Sequence, residues 1–380
     1  MKVQGAWLDR PGTQALCAAL SAAGQRALFV GGCVRNALMA LPVGDIDIAT
    51  DALPKIVSDI AEKEGFKVIP TGIDHGTVTV IAGGIPHEVT TFRRDVETDG
   101  RHARVAFSDD LTEDAARRDF TMNALYAEAD GTVIDPLGGL PDLLARHLRF
   151  VGDPVARIRE DYLRILRFFR FHALYADPEA GLDAEGLAAC AANLDGLAGL
   201  SRERIGAEMH KLLAAPDPAP ATAAMAQAGV LAQILPGADA RALGLMVHLE
   251  SGTAPDWLAR LALLGGADPA EALRLSRAES GSIQQIRDYI GTPLTPAALG
   301  RKLGERLARA TILCRAALLE QPLSPNWQSE IIRGTQASLP VTAADLMPAL
   351  QGPALGEALR KIEVRWLASD LNLSKSDLLA

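Results

Sequence analysis

In LFVGGCVRNALMALPVGDIDIAT, residues Leu28 to Thr50, an apolar strand (Leu28, Phe29, Val30) runs into Gly31-Gly32. A helix-like segment carrying Arg35 follows, and then a second strand holding Asp45 and Asp47. Two glycines after a strand let backbone N–H groups approach an anion closely, because no Cβ stands in the way. Arg35 sits just beyond, where a helix N-terminus favours negative charge. Strand residues two apart share a face, so Asp45 and Asp47 are expected side by side while Ile46 and Ile48 enter the core. Two neighbouring carboxylates beside an anion cradle point to a divalent metal holding a phosphate, which is phosphoryl-transfer equipment.

Taken singly these signals are weak. A glycine pair is most often a turn, and a D-x-D pair is most often two solvated loop carboxylates. The spacing excludes sharper alternatives. An EF-hand opening at Asp45 would need Gly and Glu where Thr50 and Ile56 stand. There is no G-x-x-x-x-G-K-[ST] loop and no third glycine of a dinucleotide fingerprint. A magnesium-dependent site of non-P-loop type remains.

The 380 residues suffice for two or more domains. A net charge of −9 argues against a bulk nucleic-acid binder, so any such contact must use a local basic surface. The four cysteines, Cys17, Cys33, Cys190 and Cys314, form no C-x-x-C pair, so reduced buried thiols are expected rather than a disulfide framework or zinc site. The opening MKVQGAWLDR has no apolar leader core, and no run approaches the ~18 apolar residues of a membrane span. A cytoplasmic protein with no membrane contact is expected.

Residues 11–26 read as an amphipathic helix stopped at Gly24, and 51–65 as a helix with Pro54 near its start and Gly65 at its end. Strand-like runs follow at Lys67–Pro70, Thr77–Ala82 and His87–Phe92, giving a small α/β or α+β sheet with its chemistry at one edge. Glu88 is either a third carboxylate beside Asp45 and Asp47 or an exposed strand residue. Arg93–Val105 lacks periodicity and reads as a mobile loop whose Arg93, Arg94, Arg101 and Arg104 are either solvated or able to close over phosphates. Thr112 reads as the N-cap of a helix running through AARRDFTMNALY, which leaves Arg117, Arg118, Asp119 and Asn123 polar, with a surface ion-pair network as the plain alternative. Asp135–Gly139 is a sharp break, beyond which the chain reads as helical. Ile158–Leu174 is expected to be one amphipathic basic helix, and Ser201 an N-cap. The Pro/Ala run Ala215–Ala221 marks a second boundary.

On that basic helix Asp161 and Arg164 are expected on one face, where an i,i+3 salt bridge is the default reading. The sharper reading is base selection. Cytosine and adenine both offer an amine donor beside a ring-nitrogen acceptor, whereas uracil and guanine offer a carbonyl beside an N–H. A fixed carboxylate next to a fixed guanidinium complements the first pair and leaves unpaired groups against the second.

GGCVRN with GDIDIAT, EVTTFR, RRDFTMNAL, DPLGG and EDYLRILRFFRF stand in the order seen in class II tRNA nucleotidyltransferases, the CCA-adding enzymes, which share a superfamily with bacterial poly(A) polymerases. The resemblance covers residues 28–171 and, more weakly, Ser201–Leu213. It implies an α+β fold: a small nucleotidyltransferase-type mixed-sheet head over residues 1–136, a helical neck over 137–214, and a helical body and tail over 215–380 that grips tRNA. It further implies that Asp45 and Asp47 bind Mg²⁺, and that Gly31, Gly32 and Arg35 hold the triphosphate. By the same resemblance Arg117, Arg118 and Asp119 contact ribose and phosphate with support from Asn123. Asp161 and Arg164 would pair with incoming CTP or ATP, oriented by Glu160 and Arg167. The family usually has Asp where this chain has Asn36, which removes one carboxylate near the phosphates.

The implied reaction is attack of a tRNA 3′-hydroxyl on the α-phosphate with loss of pyrophosphate, and no obligate protein partner is inferred. The alternatives are poly(A) synthesis, addition of CC or A alone, and a non-catalytic RNA-binding protein with a relic head.

Overall fold

The computed structural model describes every residue except Asp74, His75, Gly100 and Arg101, and of 95–99 and 102–105 it describes the backbone alone. The chain divides into two compact units, Met1–Leu200 with Ala228–Val230, and Ser201–Gln227 with Leu231–Ala380.

The first unit opens with α1 (Pro11–Ala22), β1 (Leu28–Val30), α2 (Gly32–Leu38), β2 (Ile46–Thr50) and α3 (Pro54–Lys63). Proline at the start of α1 and α3 costs nothing, because the first N–H of a helix has no partner to lose. Then come β3 (Lys67–Gly72), β4 (Thr77–Ala82), β5 (Ile85–Thr91), β6 (Arg93–Asp99) and β7 (His102–Phe107). Seven strands form one mixed sheet in the order β3-β4-β5-β2-β1-β8-β9, where β8 is Tyr126–Ala127 and β9 is Val133–Ile134. β2 pairs parallel with β5 and antiparallel with β1, so it lies inside the sheet. The edge placement expected for the acidic pair is corrected: a parallel crossover from β2 to β5 covers it.

Arg93–Val105 is not a loop. β6 and β7 pair as an antiparallel two-stranded ribbon of their own. Of its four arginines, Arg94 faces Glu113 at 3.7 Å, while Arg101 and the Arg104 side chain lie outside the described residues.

The helix expected from Thr112 through Tyr126 is also shorter. Asp110, not Thr112, caps α4 (Leu111–Ala116) by accepting from the Thr112 N–H at 2.7 Å. A single 3₁₀ turn, Thr121–Asn123, follows before β8. Breaking the helix there turns Phe120 inward, where it packs on Phe150 and Phe171 with ring centroids 4.9 and 5.0 Å away. Two further helices, α5 (Leu140–Leu144) and α6 (Pro154–Glu160), lead into α7 (Leu163–Tyr175). Phe168 stacks on Phe150 at 5.4 Å, so the sheet and α7 share one aromatic core across the Asp135–Gly139 break.

In the second unit Ser201 caps the helix Arg202–Leu213 as the sequence suggests. Arg260, 1% exposed, donates to the carbonyls of Leu213, Ala215 and Pro216 and pairs with Glu250, which anchors the Pro/Ala run inside this unit. All four cysteines are buried and unpaired. Among the described residues no helix is long and apolar enough to cross a membrane.

Candidate active site

Asp47 lies on β2 with Ile46 and Ile48 buried on the other face, as the alternation requires. Asp45 stands one residue before the strand and is exposed. Glu88 is in register with Asp47 across the β2–β5 pairing. Burial, with Glu88 next and Asp45 also contributing, pushes the Asp47 carboxyl up to about 6, against a smaller opposing pull from Arg118. This crowding of negative charge is what a divalent cation relieves, so the donor set fits one. Among the described residues no group of three or more His, Cys, Asp or Glu comes together as a metal cage. Glu88, in register with Asp47 on the neighbouring strand, adds negative charge beside it.

Gly31 begins the turn after β1 with φ +68° and ψ −117°, a conformation open to glycine alone at low cost. A Cβ there would also come within 3.3 Å of Arg118 Nη1. Gly31→Ala is expected to lower stability by about 1–3 kcal/mol from backbone strain, read as a drop in Tm. Because the added methyl presses on Arg118, nucleotide affinity is expected to fall with it.

Arg118 reaches this turn from a buried frame. Its Nε donates to the Tyr126 hydroxyl at 3.0 Å and its Nη2 to Asp114 at 3.0 Å, while Tyr126 donates to Asp114 at 2.7 Å. Asp114 is 2% exposed and Tyr126 fully buried. The triangle leaves Nη1 as the nitrogen aimed at Gly31. Asp114 and Tyr126 are functional neighbours that sequence reading missed. The i,i+4 spacing of Asp114 and Arg118 was an available signal; the Tyr126 hydroxyl had none.

Arg35 is 6% exposed, and burial lowers its pKa. Its Nη1 donates to Asn123 Oδ1 at 2.5 Å, Nε and Nη2 donate to Asn36 Oδ1 at 3.1 and 2.8 Å, and Nη2 also donates to the Tyr175 hydroxyl at 3.0 Å. Asn36 thus supplies the acceptor that an Asp would have supplied, without its charge. Four of the five guanidinium donors are occupied internally.

Asn123 in turn donates to Asp119 at 2.9 Å, and Asp119 accepts from Arg167 Nε at 2.8 Å and from its Nη2. Burial alone would raise the Asp119 pKa. Arg167, Asn123 and the Phe120 N–H outweigh it and hold the carboxyl down to about 2. Arg35, Asn123 and Asp119 are buried and end on the half-buried Arg167, so Asp119 and Asn123 belong to an internal line rather than to the surface ion-pair network of the plain alternative.

The single helix expected over Ile158–Leu174 is two helices. α6 ends at Glu160, Asp161 is extended (φ −152°, ψ 104°), and α7 begins at Leu163. Asp161 Oδ1 accepts from the Leu163 N–H at 3.1 Å, a local turn that competes with helix continuation. Arg164 pairs with Glu160 at 2.6 Å, and with the chain extended at Asp161 the residues Asp161 and Arg164 do not share one helix face as expected. Its Nη1 also donates to the Arg157 carbonyl at 2.8 Å and its Nη2 to the Arg117 carbonyl at 3.0 Å. Among the described residues, two of the five Arg164 donors have no partner. The contact with Arg117, next to Arg118, brings the start of α7 to the glycine turn and Asp47.

Comparison with known proteins agrees with this geometry. A family model described as the poly A polymerase head domain matches residues 27–149, and one described as a probable RNA- and SrmB-binding site of polymerase A matches 182–241. The human mitochondrial CCA tRNA nucleotidyltransferase 1 is 45% identical over 186 residues, 49% of this chain and 43% of that protein, so the match spans under half of that relative's length. The CCA-adding enzyme of Geobacillus thermodenitrificans is 36% identical over 92% of this chain and 87% of its own. The crystal structure of the Bacillus stearothermophilus CCA-adding enzyme in complex with CTP superposes with a TM-score of 0.73 at 32% identity, covering 95% of this chain and 94% of that one. With likeness running nearly end to end through both proteins, the chain belongs to the class II family of CCA-adding enzymes and poly(A) polymerases, a nucleotidyltransferase family.

Proposed function

We propose that this protein adds CCA to the 3′ end of tRNA from CTP and ATP, releasing pyrophosphate, in the cytoplasm and without an obligate protein partner. The observation that supports this reading is the line of hydrogen bonds from Arg167 through Asp119 and Asn123 to Arg35, which ties the base-reading helix to the glycine turn. Residues 1–136 act as the catalytic head, 137–214 as the neck that chooses the base, and 215–380 as the tRNA-holding body and tail.

Asp45 and Asp47 would hold Mg²⁺, which supplies charge to the triphosphate and makes the 3′-hydroxyl a better nucleophile. Gly31 and Gly32 keep side chains away from the phosphates, while Arg118 presents Nη1 toward them and Arg117 frames the same turn. Arg35 braces the turn and contributes its charge. The 3′-oxygen bonds to the α-phosphorus as the bond to the β-phosphate oxygen breaks. Asp161 accepts from the exocyclic amine of cytosine or adenine, and the remaining donors of Arg164 meet the ring nitrogen. Uracil and guanine would set carbonyl against carboxylate and N–H against guanidinium, a mismatch large enough to reject them.

Incubation of a truncated tRNA with purified protein, Mg²⁺, CTP and ATP tests this directly. Growth by three nucleotides in the order C, C, A, and then arrest, is expected. Open-ended A tails would move the assignment to poly(A) synthesis, and no incorporation at all would remove it.

A further inference from the structure

Tyr175 is the last residue of α7, apart from the groups assigned to base, phosphate or metal. Its ring centroid lies 4.0 Å from the Arg35 guanidinium carbon, and its hydroxyl accepts from Arg35. Phe171, one turn earlier, packs on Tyr175 at 5.2 Å and faces the guanidinium carbons of both Arg35 (5.2 Å) and Arg167 (5.1 Å). Arg35 and Arg167 are therefore joined twice, through Asn123 and Asp119 on the polar side and through Phe171 and Tyr175 on the aromatic side. The ring so closed binds α2, the Thr121–Asn123 turn and α7 together.

We propose that Tyr175 is a positioning residue for nucleotide selection, acting through Arg35 and α7. The inference rests on the base-choosing role of α7 given above. Arg164 fixes the first turn of α7 to Glu160, Arg157 and Arg117, and Arg167 fixes its second turn to Asp119. At the other end of α7 the Tyr175 side chain, with Phe171 beneath it, meets Arg35, and the Tyr175 carbonyl accepts from Arg146 Nε at 3.1 Å. That end lies about 16 Å from Arg164 at the rise of an α-helix. Released there, α7 pivots on Asp119 and carries Arg164 with it. A displacement near 1 Å at a reading group is enough to cost selectivity, as on the order of 10²-fold losses from such misplacement attest.

The test is equilibrium binding of CTP and of UTP to the full-length protein with Mg²⁺ and no tRNA, where nothing turns over. In Tyr175→Ala the preference for CTP over UTP is expected to fall about tenfold, the size of one lost hydrogen bond to a charged group. Tyr175→Phe keeps the ring over Arg35 and is expected to retain much of the preference. A ratio of affinities is insensitive to the fraction of inactive protein, so a merely structural defect would leave it unmoved. An unchanged ratio in folded Tyr175→Ala overturns the proposal. If that variant does not fold, Tyr175→Leu, which keeps apolar bulk without ring or hydroxyl, decides by the same ratio. Equal binding of CTP and UTP by the wild-type protein would instead sink the base-selection reading, and this inference with it.

Discussion

Asp47→Asn is expected to abolish nucleotide incorporation, by on the order of 10³-fold or more, while making the metal-free protein more stable at neutral pH. The two effects share one cause. Asp47 is half-buried on an interior strand with Glu88 in register beside it, and its carboxyl is held up near 6. A carboxyl raised above its ordinary 3.8 costs the folded state stability as it ionises. That cost is absent below the ordinary value, grows as pH rises to about 6, and is complete at pH 7, with a ceiling of about 3 kcal/mol before solvent screening is discounted. In EDTA, therefore, thermal melts at pH 7 should place Asp47→Asn above wild type, and the gap should close toward pH 4. Mg²⁺ should raise the wild-type Tm at pH 7 and leave the variant's unchanged. A variant that melts lower than wild type at pH 7 in EDTA would mean that Asp47 is paired inside the protein rather than held for a cation.

How much of this site was legible beforehand follows from which interactions are local. Gly24, Pro54 and Gly65 mark helix ends through the backbone of their own neighbourhood, and the alternation of Ile46, Asp47 and Ile48 needs only its own strand. The interior position of β2 needs β5, forty residues on, and no periodicity carries that pairing. The break at Asp161 was hidden for the opposite reason. Ile158, Ile165, Leu166 and Phe169 keep a helical apolar spacing straight across it, and no glycine or proline marks it. Its one local sign is the ability of Asp161 to accept from the amide two residues on. The β6–β7 ribbon escaped because RRDVETD lacks alternation, while a hairpin is paired by backbone groups that composition does not reveal. The triangle around Arg118 and the clamp around Arg35 join residues from separate segments, so the family motifs point to the arginines but not to Tyr126 or Tyr175.

Asp119→Ala should be the most destabilising single change in the site, by about 3–5 kcal/mol. Asp119 is 9% exposed and accepts from Arg167, from Asn123 at 2.9 Å and from the Phe120 N–H at 2.8 Å. Its removal takes an acceptor at once from the partly buried Arg167 guanidinium, from the Asn123 amide and from the Phe120 N–H. Asp119→Asn keeps an acceptor and loses only the charge, so it should lie well above Asp119→Ala in Tm. The sign with pH is the reverse of that for Asp47. A carboxyl depressed to about 2 adds stability that is fully present above its ordinary 3.8 and is lost as pH falls between the two. The Tm difference between wild type and Asp119→Asn should therefore be steady from pH 7 down to about 4 and shrink below it. The functional loss should not track stability alone. At temperatures where Asp119→Asn is fully folded, Arg167 and Asn123 are held less firmly, and UTP incorporation should rise relative to CTP. If Asp119→Asn kept wild-type selectivity and a pH-independent Tm difference, the line from α7 to the glycine turn would be scaffolding, and the coupling between choosing a base and holding its phosphates would have to run elsewhere.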